Sequence, residues 1–278
     1  MKMLLPCRCS LIASLRILAL FVIFTFAAGT DAAEVNELVI ARPGNLPILL
    51  TAPHGGAKVI PGAAIRTGNL AVAGMDTRTL ELTEALAIRL KATLGAEPYV
   101  VAARFHRRYV DANRRAGEAF DDAKAEPYYT AYHNSIRGFV AEIRQKFPDG
   151  ALLLDIHGQG TDPNTLHRGT SNAWTVENLL SKHGAAALTG EKSLFGAFSA
   201  RGREVFPPNT RIGNPPEDKR YNGGYTVRTY GSNNRDGIDA IQLEFGASLR
   251  KDPRVIDDLA ESIAVFYRTY LNAGKQSP

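Results

Sequence analysis

The sequence contains very little cysteine: of 278 residues only Cys7 and Cys9 are cysteines, and both lie close to the N-terminus. The rest of the chain therefore has neither a disulfide bond nor a thiolate metal site. Tracts of like charge, low-complexity segments and internal repeats are also absent, which excludes collagen, coiled-coil and mainly disordered chains. A net charge of +5 is too small to demand a nucleic-acid partner, and we expect none.

Long hydrophobic runs are equally rare, and the one that stands out is the apolar stretch at residues 17–28. Basic residues precede this stretch and small residues follow it, an arrangement typical of a secretory signal peptide. The stretch is shorter than the roughly 20 residues that span a bilayer, which argues against an uncleaved anchor. We therefore predict a cleaved signal peptide at residues 1–33 and a single domain at residues 34–278. This domain is expected to be exported, periplasmic or secreted, without stable membrane association.

The rest of the chain alternates short apolar segments with helical patterns. Strands are predicted at residues 46–51, 99–103, 151–156 and 238–245. Helices are predicted at residues 75–94, 128–147, 175–182 and 193–203, and from Pro253 after a cap at Asp252. Because helices separate the strands, we predict an α/β fold whose mostly parallel sheet is covered by helices on both faces. A Gly-, Pro- and Asn-rich stretch at residues 206–237 is predicted to be a long functional loop.

Potential catalytic or metal-binding groups stand at the ends of three predicted strands. His54 follows the first of these strands, His157 follows the second, and Glu244 lies at the end of the third. Ligands of open α/β sheets bind beyond the carboxyl ends of the strands, so these side chains are expected to meet. Two histidines and a carboxylate are a common ligand set of hydrolytic zinc sites. The other histidines lack such a context and are expected to be non-ligands: His106, His133, His167 and His183.

The third ligand of such a site has two candidates. Asp76 stands at the start of a predicted helix, where an aspartate can be either a metal ligand or a helix cap. Asp155 lies two residues before His157 on the same strand, so both side chains share one face. Asp155 can bind the metal itself or orient the ligating histidine. The residues alone leave this choice open.

Arginine is concentrated in residues 104–115, where five of the side chains are arginines. No binding motif for nucleic acid accompanies them. Arginine binds carboxylates through two parallel hydrogen bonds. This segment therefore indicates a small anionic substrate.

Taken together, these residues resemble the N-formylglutamate amidohydrolase family, which is related to the zinc carboxypeptidases. The matching segments occur in the family's order and cover most of residues 48–250. They are residues 53–56, 76, 109–114, 155–158, 222–225, 228–231 and 241–244. No single segment is decisive, but the ordered set is specific.

The resemblance implies a three-layer phosphorylase/hydrolase-like α/β fold that binds one zinc ion. It implies that His54, Asp76 and His157 are the zinc ligands and that Glu244 is the general base and acid. It further implies that Asn113 and Arg114 bind the free carboxylate of the substrate, and that either Arg107 or Arg108 stabilises the oxyanion. The glycine-rich substrate segment of the family would contribute Gly224, Tyr225 and Arg228.

The expected reaction is zinc-dependent hydrolysis of the amide bond of an N-acyl amino acid with a free carboxylate, similar to N-formylglutamate. A secreted zinc carboxypeptidase, or an amidase acting on short or cell-wall peptides, would share the whole metal site. The sequence therefore leaves the choice between amidohydrolase and peptidase open. A non-catalytic binding protein for anions would need the arginines, but neither the paired histidines nor Glu244.

Overall fold

The computed structural model describes residues 35–272, apart from residues 36, 68–71, 210 and 211. The predicted signal peptide at residues 1–33 lies outside the described residues. Among the helices that are described, none combines the length and the apolar character needed to cross a bilayer.

Seven strands of the described chain form one mixed sheet. In chain order they are β1 (Val39–Arg42), β2 (Ile48–Ala52), β3 (Tyr99–Ala103), β4 (Leu152–Gln159), β5 (Thr165–Gly169), β6 (Glu204–Phe206) and β7 (Asp239–Gly246). Their spatial order is β1-β3-β2-β4-β7-β5-β6. The central strands β3, β2, β4 and β7 are parallel, whereas β1 and β5 run antiparallel to β3 and β7. The predicted mostly parallel sheet is confirmed.

Three of these strands, β1, β5 and β6, have no counterpart among the predicted strands. β1 and β6 are short edge strands, and neither is buried along its whole length. β5 is largely buried but carries His167 and Arg168 in its middle, so it does not read as an apolar run. Both side chains are paired with acidic residues, which makes their burial tolerable.

Helices cover both faces of the sheet. The helices are α1 (Thr79–Leu94), α2 (Ala116–Ala119), α3 (Glu126–Lys146), α4 (Glu177–His183), α5 (Ala186–Thr189), α6 (Leu194–Ser199), α7 (Tyr225–Tyr230) and α8 (Val255–Phe266). Short 3₁₀ turns lie at Ala123–Ala125, Trp174–Val176 and Leu249–Lys251, and a π-helical turn, Tyr267–Leu271, extends α8.

The predicted helix starts differ from the structure by one to four residues, and two of the differences bear on the predicted caps. The helix predicted at residues 75–94 begins at Thr79, because Arg78 adopts a left-handed conformation with φ of 68°. Asp76 therefore lies in the preceding loop rather than at the head of the helix. The last helix begins at Val255, two residues after Pro253. The carboxylate of Asp252 accepts a hydrogen bond from the amide of Arg254 and closes the turn before it.

The sheet separates two apolar layers, because alternate residues of a strand point to opposite faces. On one face, Leu50 and Leu154 belong to a core cluster that includes the buried stripes of α1 and α8. On the other face, Leu49 and Leu153 belong to a second cluster together with the buried stripe of α3. This arrangement is the three-layer architecture that the family resemblance implies.

The chemistry-bearing residues meet at the carboxyl edge of the central strands. β2, β4 and β7 are adjacent and parallel, so their carboxyl ends lie side by side. Their register places Thr51 beside Asp155 and His157 beside Glu244. Since β2 ends at Ala52, His54 lies just beyond the same edge. The expected meeting of these side chains is thus a consequence of strand order and register.

Candidate metal centre and active site

His54, Asp76 and His157 form a buried cluster at this edge. Oδ2 of Asp76 lies 3.4 Å from Nδ1 of His54 and 3.1 Å from Nδ1 of His157. One potential ligand atom from each residue lies within 4.8 Å of the other two. The three side chains could therefore hold a metal ion between them.

The donor set fits zinc. Nδ1 of His54 is buried and has no hydrogen-bond partner, a costly state for a polar atom. A cation between the two imidazoles and the carboxylate would satisfy this nitrogen. Two histidines and one carboxylate are also the protein ligands of many hydrolytic zinc sites, which keep a fourth position open.

Two further carboxylates, those of Asp111 and Asp155, bind the Nε2 atoms of the two imidazoles. Oδ1 of Asp111 lies 2.6 Å from Nε2 of His54, and Oδ2 of Asp155 lies 2.9 Å from Nε2 of His157. A carboxylate on one ring nitrogen fixes the tautomer and turns the other nitrogen toward a metal. Asp155 therefore stands behind His157, and the geometry favours Asp76 as the third ligand.

Asp155 is itself held in place from β2. The hydroxyl of Thr51 donates a hydrogen bond of 2.6 Å to Oδ1 of Asp155, which is completely buried. Both oxygens of Asp155 therefore have protein partners, Thr51 on one side and His157 on the other.

Arg107 connects the two aspartates that flank His54. Its Nη1 donates to Asp76 at 3.3 Å, and its Nη2 donates to Asp111 at 2.8 Å. Burial alone would raise the pKa of Asp76, but the nearby His54 and the hydrogen bond with His157 hold that pKa below its ordinary value. The same balance of burial against His54 and Arg107 holds the pKa of Asp111 low.

Arg108 does not share this position. It lies beside His106, with its Nη2 3.3 Å from Nε2 of that ring, and it is outside the wall of the cavity described below. Of the two arginines that the resemblance left open, the structure therefore brings Arg107 to the cluster. Arg108 as a substrate-binding residue is not supported.

Glu244 is the fourth acidic group near the cluster. Its Oε1 lies 4.0 Å from Nδ1 of His157, so it stands beside the potential ligands. Burial is the main cause that raises the pKa of Glu244 to about 7, because the charged carboxylate is poorly solvated there. A carboxylate with such a pKa is suited to accept and return a proton near neutral pH.

Gln242, which the sequence did not single out as a functional residue, connects Glu244 to residues 222–231, the predicted glycine-rich substrate segment. Its Nε2 donates to Oε1 of Glu244 at 3.0 Å, and its Oε1 accepts a hydrogen bond from the amide of Gly224 at 2.7 Å. Both side chains point to one face of β7 because they are two residues apart. This spacing is the only signal that could have indicated the role of Gln242.

The segment around Gly224 is tied to the arginine-rich loop as well. Oδ1 of Asn113 accepts a hydrogen bond of 2.8 Å from the amide of Thr226. A Cβ atom on Gly224 would lie 2.1 Å from Nδ2 of Asn113, so a larger residue does not fit without displacement. Asn113 therefore holds the segment around Gly224 in place, and its role in binding the substrate's carboxylate stays a prediction.

A cavity of about 770 Å³ opens above these residues. Nearly all residues singled out from the sequence line it: His54, Asp76, Arg107, Asn113, Arg114, His157, Gly224, Tyr225, Arg228 and Glu244. The wall also contains exposed Arg115, from the predicted arginine-rich segment, and two exposed cationic residues that the sequence did not indicate, Lys219 and Arg220. The cavity thus joins a potential metal centre to a basic rim.

Two arginines of the wall carry charge that is incompletely neutralised. Arg114 is 34% exposed, and its Nε lies 3.8 Å from the nearest oxygen of Asp111. Arg228 is exposed and bonds two neutral groups, the hydroxyl of Ser171 and the side-chain oxygen of Asn222. Both guanidinium groups can therefore bind an anionic part of a ligand.

The four histidines expected to be non-ligands lie elsewhere. His133 is buried between the hydroxyl of Tyr230 and the carbonyl of Ala112, and burial lowers its pKa to about 4. His167 pairs with Asp162. None of the four belongs to a group that could hold a metal among the described residues.

The fold is shared with solved structures. A scan against known protein families finds no match, and no curated protein matches the sequence. The chain is similar to an N-formylglutamate amidohydrolase from Ralstonia eutropha, with a TM-score of 0.54 and 16% identity, over 85% of this chain and 99% of that one. It is also similar to a gene product from Agrobacterium tumefaciens, with a TM-score of 0.52 and 15% identity, over 82% of this chain and 92% of that one. At these identities the likeness establishes the fold, and it agrees with the family resemblance predicted from the sequence.

Proposed function

We propose that the protein is a zinc-dependent hydrolase that cleaves the amide bond of an N-acyl amino acid with a free carboxylate. The observation that carries this proposal is the buried cluster of His54, Asp76 and His157 beside Glu244, at the floor of a cavity with cationic walls. The likeness of the fold to an N-formylglutamate amidohydrolase adds support, and it suggests a small acyl group and an acidic amino acid.

In this proposal His54, Asp76 and His157 hold the zinc ion. When bound, zinc would supply Lewis-acid chemistry and lower the pKa of a nearby water molecule toward about 7. Asp111 and Asp155 bind Nε2 of the two imidazoles and so keep each Nδ1 turned toward Asp76, where these residues would hold the ion. Arg107 holds Asp76 and Asp111 in their relative positions.

Glu244 moves the proton. It accepts a proton from the attacking water and then delivers it to the leaving nitrogen, as a general base and a general acid in turn. The hydrogen bond from Gln242 orients its carboxylate for both steps. Arg107, on the cavity wall, stabilises the negative charge that develops on the carbonyl oxygen.

The carboxylate of the substrate is held by the arginines of the wall. Arg114 has a long ion pair with Asp111, at 3.8 Å, and Arg228 bonds two neutral groups, so both guanidinium groups can bind an anion. Tyr225 lines the same cavity wall. Asn113 contributes by fixing that segment through the amide of Thr226. Binding the carboxylate away from the reacting bond places the amide over the metal centre.

A peptidase or amidase acting on short peptides is the second candidate. The size of the cavity, about 770 Å³, favours it, because such a space accommodates a ligand larger than a formylated amino acid. The two candidates share the metal centre and Glu244, so only the length of the accepted substrate separates them.

A substrate screen tests the proposal. The zinc-loaded protein is assayed against N-formyl, N-acetyl and N-succinyl amino acids and against di- and tripeptides, with release of free amine as the readout. We expect the highest kcat/KM for an N-acyl acidic amino acid. A higher value for peptides would favour the second candidate, and no hydrolysis of any member would contradict both.

We further propose that the enzyme acts outside the cytoplasm on a small N-acyl amino acid or short peptide. The signal-peptide pattern of residues 1–33 motivates this proposal. Intact-mass analysis of the exported protein is expected to show a chain that begins near Glu34, and a mass that still includes Cys7 and Cys9 would contradict it.

A further inference from the structure

The position of Arg228 depends on a turn in a different part of the chain. Its Nε donates a hydrogen bond of 3.1 Å to the hydroxyl of Ser171, and its Nη2 donates to Oδ1 of Asn222 at 3.3 Å. Ser171 and Asn222 are joined directly, because the amide of Ser171 donates to the carbonyl of Asn222 at 2.6 Å. The guanidinium group is thus held by two residues that also hold each other.

The turn that carries Ser171 has an uncommon backbone. Ser171, Asn172 and Ala173 have φ angles of 51°, 56° and 82°, in the left-handed region that non-glycine residues rarely adopt. Three such residues in succession need support from the surrounding structure, and strain of this kind often marks a functional site. The turn follows β5 and contacts the cavity wall through Ser171, whose amide bonds the carbonyl of Asn222.

The support comes from the buried carboxylate of Glu217. One oxygen accepts hydrogen bonds from the amides of Thr170 and Asn172, at 2.8 and 2.9 Å. The other accepts one from the hydroxyl of Thr170 at 2.5 Å. In return the amide of Glu217 donates to Oδ1 of Asn172 at 2.9 Å. Glu217 thereby fixes the strained turn and the start of the segment that contains Asn222.

Arg168 neutralises this carboxylate. Its Nε lies 3.1 Å from Oε1 of Glu217, and both side chains are 2% exposed. The guanidinium group also lies over the ring of Phe195, 5.5 Å from its centroid. A buried ion pair is weak evidence for stability as such, whereas fixing one conformation is an attested use of buried charge.

We propose that Arg168, Glu217 and Ser171 are positioning residues that hold the guanidinium group of Arg228 ready for the substrate's carboxylate. None of the three lines the cavity, so they act through Arg228 and through Asn222, which also holds it. A guanidinium group fixed before binding loses less conformational freedom when it binds, which lowers KM for a carboxylate substrate. This inference rests on the proposed function, because it assumes that Arg228 meets an anionic part of the substrate.

The test is a double-mutant cycle with Ser171→Ala and Arg228→Ala. Ser171→Ala removes the hydroxyl that accepts from Arg228 and leaves the buried ion pair intact. We expect KM for N-formylglutamate to rise about 3- to 10-fold with kcat nearly unchanged. For an analogue of N-formylglutamate in which both carboxylates are replaced by neutral amides, KM of Ser171→Ala should stay within about twofold of the parent value. In the Arg228→Ala background, Ser171→Ala should have no further effect.

Matched controls separate positioning from folding. Ser181→Ala, an exposed serine of α4, is expected to leave both KM values unchanged. Thermal unfolding of Ser171→Ala should match that of the parent. Equal penalties on the acid and the amide, or the same penalty with Arg228 already removed, would overturn the proposal, because a structural defect would act on both substrates and in both backgrounds.

Binding of glutarate distinguishes failure of this inference from failure of the proposed function. Glutarate has two carboxylates but no amide, so its Kd, measured by calorimetry, needs no catalysis. If no substrate is hydrolysed but the cycle on glutarate Kd shows the same coupling, the inference stands and the proposed function fails. If hydrolysis occurs but the effects of Ser171→Ala and Arg228→Ala are additive, the two residues are not coupled. In that case only this inference fails, and the proposed function stands. If glutarate does not bind and nothing is hydrolysed, both fail.

Discussion

At the scale of single residues, the two histidines have different surroundings but the same arrangement. Each binds a buried aspartate through Nε2 and turns Nδ1 toward Asp76. The residue types of this site could be predicted from the sequence, because His54, His157 and Glu244 each stand at a strand end. The role of Asp111 could not, since its contact with His54 spans 57 positions of the chain and leaves no local pattern.

Removing either imidazole should remove the metal. His54→Ala and His157→Ala are expected to retain little zinc, because each deletes one of the three proposed ligands. His183→Ala, in α4 and outside the site, is the matched control and should keep full zinc content. Elemental analysis after dialysis measures the content, and circular dichroism confirms that each variant is folded. Full zinc content in both site variants would show that the metal, if any, lies elsewhere.

Variants of the three aspartates of the site, Asp76, Asp111 and Asp155, should differ in zinc content. Asp76→Ala is expected to lose the most zinc, because Asp76 faces both Nδ1 atoms. Asp111→Ala and Asp155→Ala remove only the partners behind the imidazoles, which typically weakens metal affinity by about 10- to 100-fold. Competition with a chelator gives the affinities. A larger loss in Asp155→Ala than in Asp76→Ala would reverse our choice of the third ligand.

At the scale of elements, the sheet places the site and the loops shape it. β2 and β4 could be predicted because each begins with an apolar run, and β7 because apolar residues alternate with polar ones along it. Their shared edge followed from their parallel order. β5 could not, because its buried polar residues are satisfied by partners that are not adjacent in sequence, such as Glu217 for Arg168. The stretch at residues 206–237 was predicted as a loop, and it contains the helix α7 and part of the cavity wall.

The substrate segment should tolerate no side chain at Gly224. Gly224→Ala would place a Cβ atom 2.1 Å from Nδ2 of Asn113, so the segment or Asn113 must shift. We expect kcat/KM to fall about 10-fold or more, because a small displacement of a positioned site is costly. Gly117→Ala, in α2, is the matched control, since no atom lies within 4 Å of its Cβ. Parent-like kinetics for Gly224→Ala would show that the segment is not held as tightly as the contacts indicate.

At the scale of the whole molecule, the two ends of the sheet differ in chemistry. The carboxyl edge holds the clustered histidines and acids, whereas Asp239 stands at the opposite end, where β7 begins. Oδ1 of Asp239 accepts hydrogen bonds from Ser232 at 2.7 Å and from the amide of Leu179 at 3.0 Å. Burial is the main cause that raises the pKa of Asp239 to about 6, although these hydrogen bonds oppose it.

This raised pKa makes the stability of the fold depend on pH. The folded state binds the proton of Asp239 more tightly than the unfolded chain, in which the pKa is about 4. Its contribution to stability is therefore fully present below pH of about 4 and is lost as the pH rises through about 6. Asp239→Asn keeps an oxygen for both donors and cannot ionise, so above pH of about 6 it should be more stable than the parent by about 1 to 3 kcal/mol.

Urea denaturation of both proteins at a series of pH values measures this difference. Asp236→Asn is the matched control, because the carboxylate of Asp236 is exposed and lies three residues before Asp239. The effect of Asp236→Asn on the free energy of unfolding should be nearly independent of pH in this range. An advantage of Asp239→Asn that is the same at pH 4 and pH 7.5 would show that ionisation of Asp239 is not its cause.

The central claim is that Glu244 moves the proton in a reaction at the His54–Asp76–His157 centre. The most direct test is kcat for hydrolysis of N-formylglutamate by Glu244→Gln, with zinc content determined on the same sample. We expect kcat to fall by about 10²- to 10⁴-fold while zinc content stays at the parent value, because Glu244 is a base and not a ligand. Glu81→Gln, at an exposed position of α1, should be unchanged in both respects. Parent-like kcat in zinc-loaded Glu244→Gln would contradict the account.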